Sequence, residues 1–187
     1  MIVAKGLSVE EAYAGVSLEA GPGTLTVVAG PAGSGRTSLL LTLAGRMKPT
    51  AGTLAVAGHV KPRAIRRVAA LALVDGVTDL DRALTVGEHL RERGRGPYPK
   101  VLGQAGLRLG DAGERTLVRE LDREAQVRLG VALALLDDPK VIVADNVDAG
   151  LPPDRQEALW TLLDGLDRTV VASCVHPPTR YDHLVEL

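Results

Sequence analysis

Nine consecutive residues, Gly30, Pro31, Ala32, Gly33, Ser34, Gly35, Arg36, Thr37 and Ser38, hold the densest chemistry in this chain. Glycines at 30, 33 and 35 let successive backbone N–H groups turn toward one anion without interference from a Cβ. Arg36 adds a permanent cation, and Thr37 or Ser38 adds a hydroxyl able to ligate Mg²⁺. This is the composition of a phosphate-binding loop. Far along the chain, Val141–Ala144 run apolar into Asp145.

These groups can act together only if strands and helices deliver them to one edge. Thr24–Ala29 reads as a strand entering the glycine loop, and Thr37–Met47 as a helix leaving it, with the positive end of its dipole toward the loop. Val68–Val74 and Val141–Asp145 are continuous apolar runs of the kind buried in parallel sheets. Val16–Glu19, Thr53–Ala57, Thr169–Cys174 and His183–Leu187 supply further strands. Thr85 and Glu88 have capping-box spacing. Leu121–Leu136 predicts a long helix, and a last helix starts at Pro152–Pro153 with Asp154 as its N-cap and apolar residues at 159, 162, 163 and 166. Arg93–Lys100 reads as a flexible loop. Alternating strands and helices predict an α/β fold with a largely parallel sheet.

Composition sets the outer bounds. The 187 residues suit one domain that needs no disulfide or metal to hold it. A formal charge of −1 and 2% aromatics exclude both a general electrostatic footprint for nucleic acid and stacking platforms for single strands. Apolar runs are far shorter than a membrane span. The start, MIVAKGLSVE, lacks the pattern of a signal peptide, and the single cysteine, Cys174, has no partner, so a cytoplasmic location is expected. The clusters Lys61, Arg63, Arg66, Arg67 and Arg91, Arg93, Arg95 read as solvated surface.

The segments GPAGSGRTSLLLTLAGRMKPTAGTLAVAGH, LTVGEHL, RLGVALALLDDPKVIVADN and NVDAGLPPDRQEALWTLL follow one another as in the ATP-binding subunit of ABC transporters. The chain resembles that family over essentially its whole length. The resemblance implies a P-loop fold with an N-terminal antiparallel β subdomain and a reduced helical subdomain, approximately residues 86–137, inserted within a single domain spanning 1–187. It implies ATP and Mg²⁺ as ligands, with residues 30–38 on the nucleotide and Thr37 and Asp145 on the metal. It also implies a membrane-spanning partner subunit, a dimer with itself or with an ABC paralogue, and a peripheral location at the inner face of the membrane.

The same resemblance exposes departures. Arg36 stands where the family has Lys, and a planar guanidinium is not a compact ammonium. Asn146 stands at the position of the glutamate that activates water, a loss of general-base help of about 10²–10⁴-fold. The family signature, L-S-G-G-Q followed by Arg, aligns with Leu121-Asp122-Arg123-Glu124-Ala125 and Arg128, of which only Leu121 and Arg128 match. No glutamine lies between Val68 and Thr85 for the Q-loop, where Asp75 is the nearest polar residue. His176 sits one place after the switch-histidine position, which holds Val175, and Tyr13 is the only aromatic near the adenine-stacking loop, where core packing suits it better. The expected function is an ATP-binding transporter subunit with weak hydrolysis. A non-hydrolysing regulatory or structural partner is the alternative. A small-molecule kinase lacks an identifiable acceptor base and arginine-rich lid.

Overall fold

The computed structural model describes residues 1–187. Eight strands form two sheets. β1 (Ile2–Val9), β2 (Tyr13–Ala20) and β4 (Ala51–Val56) make an antiparallel sheet in the order β2-β1-β4. β3 (Leu25–Ala29), β5 (Ala69–Leu71), β6 (Val141–Ala144), β7 (Thr169–Cys174) and β8 (His183–Glu186) make an all-parallel sheet in the order β5-β6-β7-β3-β8. The expected α/β architecture with an N-terminal antiparallel sheet is therefore present. No helix is long and apolar enough to cross a membrane.

Strand periodicity builds two cores, one on each face of the parallel sheet. Leu25, Val27, Ile142, Val170 and Ala172 point to one side, where α5 (Arg123–Leu135) packs. Val28, Val141, Val143 and Val171 point to the other, against Leu39, Leu40 and Leu43 of α1 (Arg36–Leu43) and the inner face of the antiparallel sheet. With both faces covered, these strands read as unbroken apolar runs rather than alternating ones. The segment between β5 and β6 carries α2's successors α3 (Val86–Arg93) and α4 (Tyr98–Gln104) before α5; α2 itself (Pro62–Ile65) precedes β5.

Several element boundaries move. β1 was invisible as a strand because Lys5-Gly6 interrupts its alternation; the register shifts between Ala4 and Leu7 restore Leu7 to the core. α1 ends at Leu43 rather than Met47, because Gly45 adopts φ 69 and packs where a Cβ would lie 2.8 Å from the Pro62 carbonyl oxygen. The last helix, α6 (Pro153–Asp164), has Pro152 as N-cap, so Asp154 lies inside the first turn instead of capping it. Arg93–Lys100 is not one loop: α3 runs through Arg93, α4 begins at Tyr98, and Tyr98 Oη donates to the Gly94 carbonyl at 2.8 Å. The Thr85–Glu88 capping box is formed, with Thr85 N–H donating to Glu88 at 2.7 Å and Glu88 N–H to Thr85 Oγ1 at 3.2 Å.

Candidate functional site

The C-terminal ends of β3, β6 and β7 lie side by side, and each releases its chain into the same small region. β3 releases residues 30–35, then α1 begins. Ala32, Gly33, Gly35, Arg36, Thr37 and Ser38 donate their N–H groups to no acceptor in the protein. Unpaired backbone donors gathered at a helix N-terminus form an anion-binding concavity. Gly35 makes the shape possible: its φ is +93, and a Cβ there would press on the Ala12 carbonyl and lie 3.2 Å from Tyr13 Cβ. The β1–β2 turn thus buttresses the loop from behind.

Arg36 is 7% exposed, and its Nη1 is buried without a partner. A buried guanidinium left unpaired in the fold is costly unless an anion compensates it. The free N–H groups and this cation together fit a polyphosphate. Thr37, rather than Ser38, turns toward the carboxylate at the end of β6: Thr37 Oγ1 donates to Asp145 Oδ2 at 2.5 Å. Asp145 is 4% exposed, and its other oxygen accepts from Ser173 Oγ. Hydroxyl and carboxylate so placed are a hard-oxygen donor pair of the kind Mg²⁺ takes.

Ser173 escaped the sequence reading. It is fully buried in β7, accepts the Asn146 N–H at 2.9 Å and donates to Asp145, so it fixes both residues at the end of β6. Its only sequence signal was a hydroxyl placed after the apolar run Val170–Ala172. Asn146 itself adopts φ 47, a left-handed conformation that Asn tolerates better than most residues. Asp148 is 8% exposed, with Oδ2 accepting the Val175 N–H at 3.0 Å and Oδ1 unpartnered.

Other predicted groups lie elsewhere. His176 is exposed and opens on a cleft of about 380 Å³ shared with Gln156, Trp160 and Thr161 of α6, not with residues of the glycine loop. Val175, at the preceding position, is 43% exposed. Tyr13 is core: it is 7% exposed, and its hydroxyl donates to Thr42 Oγ1 at 2.9 Å. Burial raises the Tyr13 phenol above its ordinary pKa, with the Thr42 hydrogen bond opposing. Asp75 is exposed beyond β5. In the signature-like segment, Asp122 caps its own helix by accepting the Ala125 N–H at 2.8 Å. Glu124 accepts from Arg128 at 2.6 Å and from Arg155 of α6 at 2.5 Å. Burial would raise the Glu124 pKa, but the hydrogen bonds from Arg155 and Arg128 prevail and hold it below the ordinary range.

Known proteins share this arrangement. The chain is 32% identical over 162 residues to Nod factor export ATP-binding protein I of Cupriavidus metallidurans, covering 81% of this chain and 52% of that one. It is 32% identical over 159 residues to the taurine import ATP-binding protein TauB of Yersinia pestis, covering 79% and 61%. The chain thus spans about half the length of the first of these curated relatives. Its fold is that of a putative ABC transporter ATP-binding protein from Pyrococcus furiosus, with a TM-score of 0.83 at 17% identity, covering 100% of this chain and 96% of that one. The profile of the family described as ABC transporter matches residues 13–149, from the start of β2 through the carboxylates after β6. The loop, the strand-end carboxylate and the matched span together place this chain in the ABC transporter family, to which it belongs.

Proposed function

We propose that the chain is an ATP-binding subunit of an ABC-type transporter that binds Mg-ATP through residues 30–38 and couples it to a membrane-spanning partner, with weak intrinsic hydrolysis. The observation that carries this reading is the unpartnered, 7% exposed Arg36 guanidinium set among free backbone N–H groups. In this reading Gly30 to Ser38 cradle the phosphates, and Thr37 and Asp145 hold Mg²⁺. The metal, when bound, neutralises phosphate charge and polarises the terminal phosphoryl group. Ser173 orients Asp145 for that role. Residues 1–187 form one domain, and the segment of approximately 86–137 is its helical subdomain. The partner brings the protein to the inner face of the membrane.

A second reading, a nucleotide-binding partner that does not hydrolyse, is favoured by two specific features. Asn146 offers no base and sits in a left-handed turn. Glu124 is already engaged by Arg128 and Arg155, so the signature-like helix end is tied up inside its own subunit. Titration of the purified chain with ATP, with and without Mg²⁺, followed by a phosphate-release assay, tests both. Saturable binding with turnover far below ordinary enzyme rates, roughly 1 s⁻¹ or more, is the expected result. Turnover at such a rate by the chain alone overturns the weak-hydrolysis reading, and failure to bind overturns both.

A further inference from the structure

The chain passes from β7 to β8, both parallel to β3, through residues 175–182 alone. Connections between parallel strands usually take a dozen or more residues and include a helix. No helix forms in this one. An irregular strap runs back instead, and between it and α6 lies the cleft of about 380 Å³ on which His176 opens. That volume is at the small end of ligand sites. One wall is a stripe of α6 at helical spacing, Gln156, Glu157, Trp160, Thr161 and Asp164; the other is the strap from His176 to Arg180. Both walls are held. Gln156 Nε2 donates to the Leu151 carbonyl at 2.8 Å and the Asp148 carbonyl at 3.3 Å, while the Val175 N–H donates to Asp148 Oδ2 at 3.0 Å. The two sides therefore hang on one segment, residues 148–151.

The walls carry opposite charge without touching. Glu157 and Asp164 stand on α6 and Arg180 on the strap, and no ion pair engages any of the three. Between them Trp160 packs its ring into the core and is only 5% exposed. A buried tryptophan usually finds an acceptor for its indole N–H. Here no group of the chain accepts it, Nε1 is not sealed from solvent, and the ring lines the cleft. We propose that this cleft binds a small zwitterion, the class to which free amino acids belong. Its ammonium group lies against Glu157 and Asp164. Its anionic group lies against Arg180, whose fork suits a carboxylate, and takes the Trp160 N–H. A simple anion leaves the two carboxylates of α6 unmet, and a simple cation leaves Arg180 and the indole unmet. The site is separate from residues 30–38 and does not rest on the nucleotide reading.

The single tryptophan makes the test direct, because the chain gives one indole N–H signal in a proton–nitrogen correlation spectrum. The purified full chain is titrated with glycine, L-alanine and γ-aminobutyrate, which differ in the separation of their charges, and with acetate and methylammonium, which carry one charge each. At least one zwitterion is expected to shift the indole signal saturably at about millimolar concentration, with acetate and methylammonium far less effective. Glu157→Gln and Arg180→Gln are each expected to weaken that binding about 5-fold. Both residues are exposed, so the variants should keep the rest of the spectrum unchanged. No saturable shift with any of the three zwitterions overturns the proposal. So does a shift by acetate equal to theirs, which marks a plain anion site, and so does binding that neither variant weakens, which places it elsewhere.

Discussion

Arg36 and Asn146 bear on different stages of a nucleotide's fate. Arg36 supplies binding charge, so Arg36→Ala is expected to abolish detectable ATP binding in a titration that the unmodified chain saturates. Asn146 bears on turnover, and Asn146→Glu restores a carboxylate where water must be activated. Phosphate release is expected to rise, by up to about 10²-fold, with little change in affinity, because base catalysis acts on the transition state. The left-handed φ of 47 at this position makes the same change cost stability, about 1 kcal/mol, readable as a lowered Tm. A variant that melts lower yet turns over no faster would locate the defect in Arg36 or the signature-like segment. Cys174 gives a third residue-scale test. Its folded pKa, raised from 9.0 to about 12, means the folded state keeps a proton that the unfolded state releases. Its contribution to stability is therefore complete below pH 9 and declines as pH rises toward 12. Thiol reagents at pH 8 are expected to label it only after unfolding; rapid labelling of the folded chain would contradict its complete burial.

At the scale of elements, α5 shows how a familiar position can be put to another use. Its first turn carries Asp122 as N-cap and Glu124 as an anchor to Arg155 on α6. Asp122→Ala is expected to destabilise the protein by about 1 kcal/mol in chemical denaturation. Glu124→Gln loses the charge that both arginines share, so its Tm should fall. The lowered Glu124 pKa fixes the sign of the pH effect. The folded carboxylate resists protonation, so its contribution is full above the ordinary carboxylate pKa and fades as pH falls through the lower folded value. Acid melting curves should therefore be shallower in Glu124→Gln. Much of this level was legible beforehand: the capping box at Thr85 and Glu88, the strand before the glycine loop and the helix after it all have local spacing signals. β1 was not, because Lys5-Gly6 breaks its alternation and two register shifts repair it only when β2 and β4 are alongside. The early end of α1 was not either, because it depends on Gly45 meeting Pro62.

For the whole molecule, the proposed function leads to a question of pairing. A homodimer would repeat the same altered signature segment at both composite sites, whereas a paralogue with an intact segment would close this loop with a competent partner face. The chain alone is therefore expected to remain monomeric with Mg-ATP in light scattering. A stable ATP-induced homodimer would exclude the pairing with a paralogue. The fold that would enter such a complex is held by the central strands, where Ile142 is fully buried, and Ile142→Ala is expected to cost about 2–5 kcal/mol in denaturant unfolding. The amino-acid order by itself determined the phosphate loop, the strand-end Asp145, the α/β class and the family resemblance, because each is written in neighbours or in a short period. Only the tertiary structure decided that Thr37 rather than Ser38 meets Asp145, that Ser173 locks the end of β6 and that His176 turns to α6. Those relations join residues far apart in the chain, and it is the side-by-side ends of three parallel strands, not any local pattern, that bring them within reach.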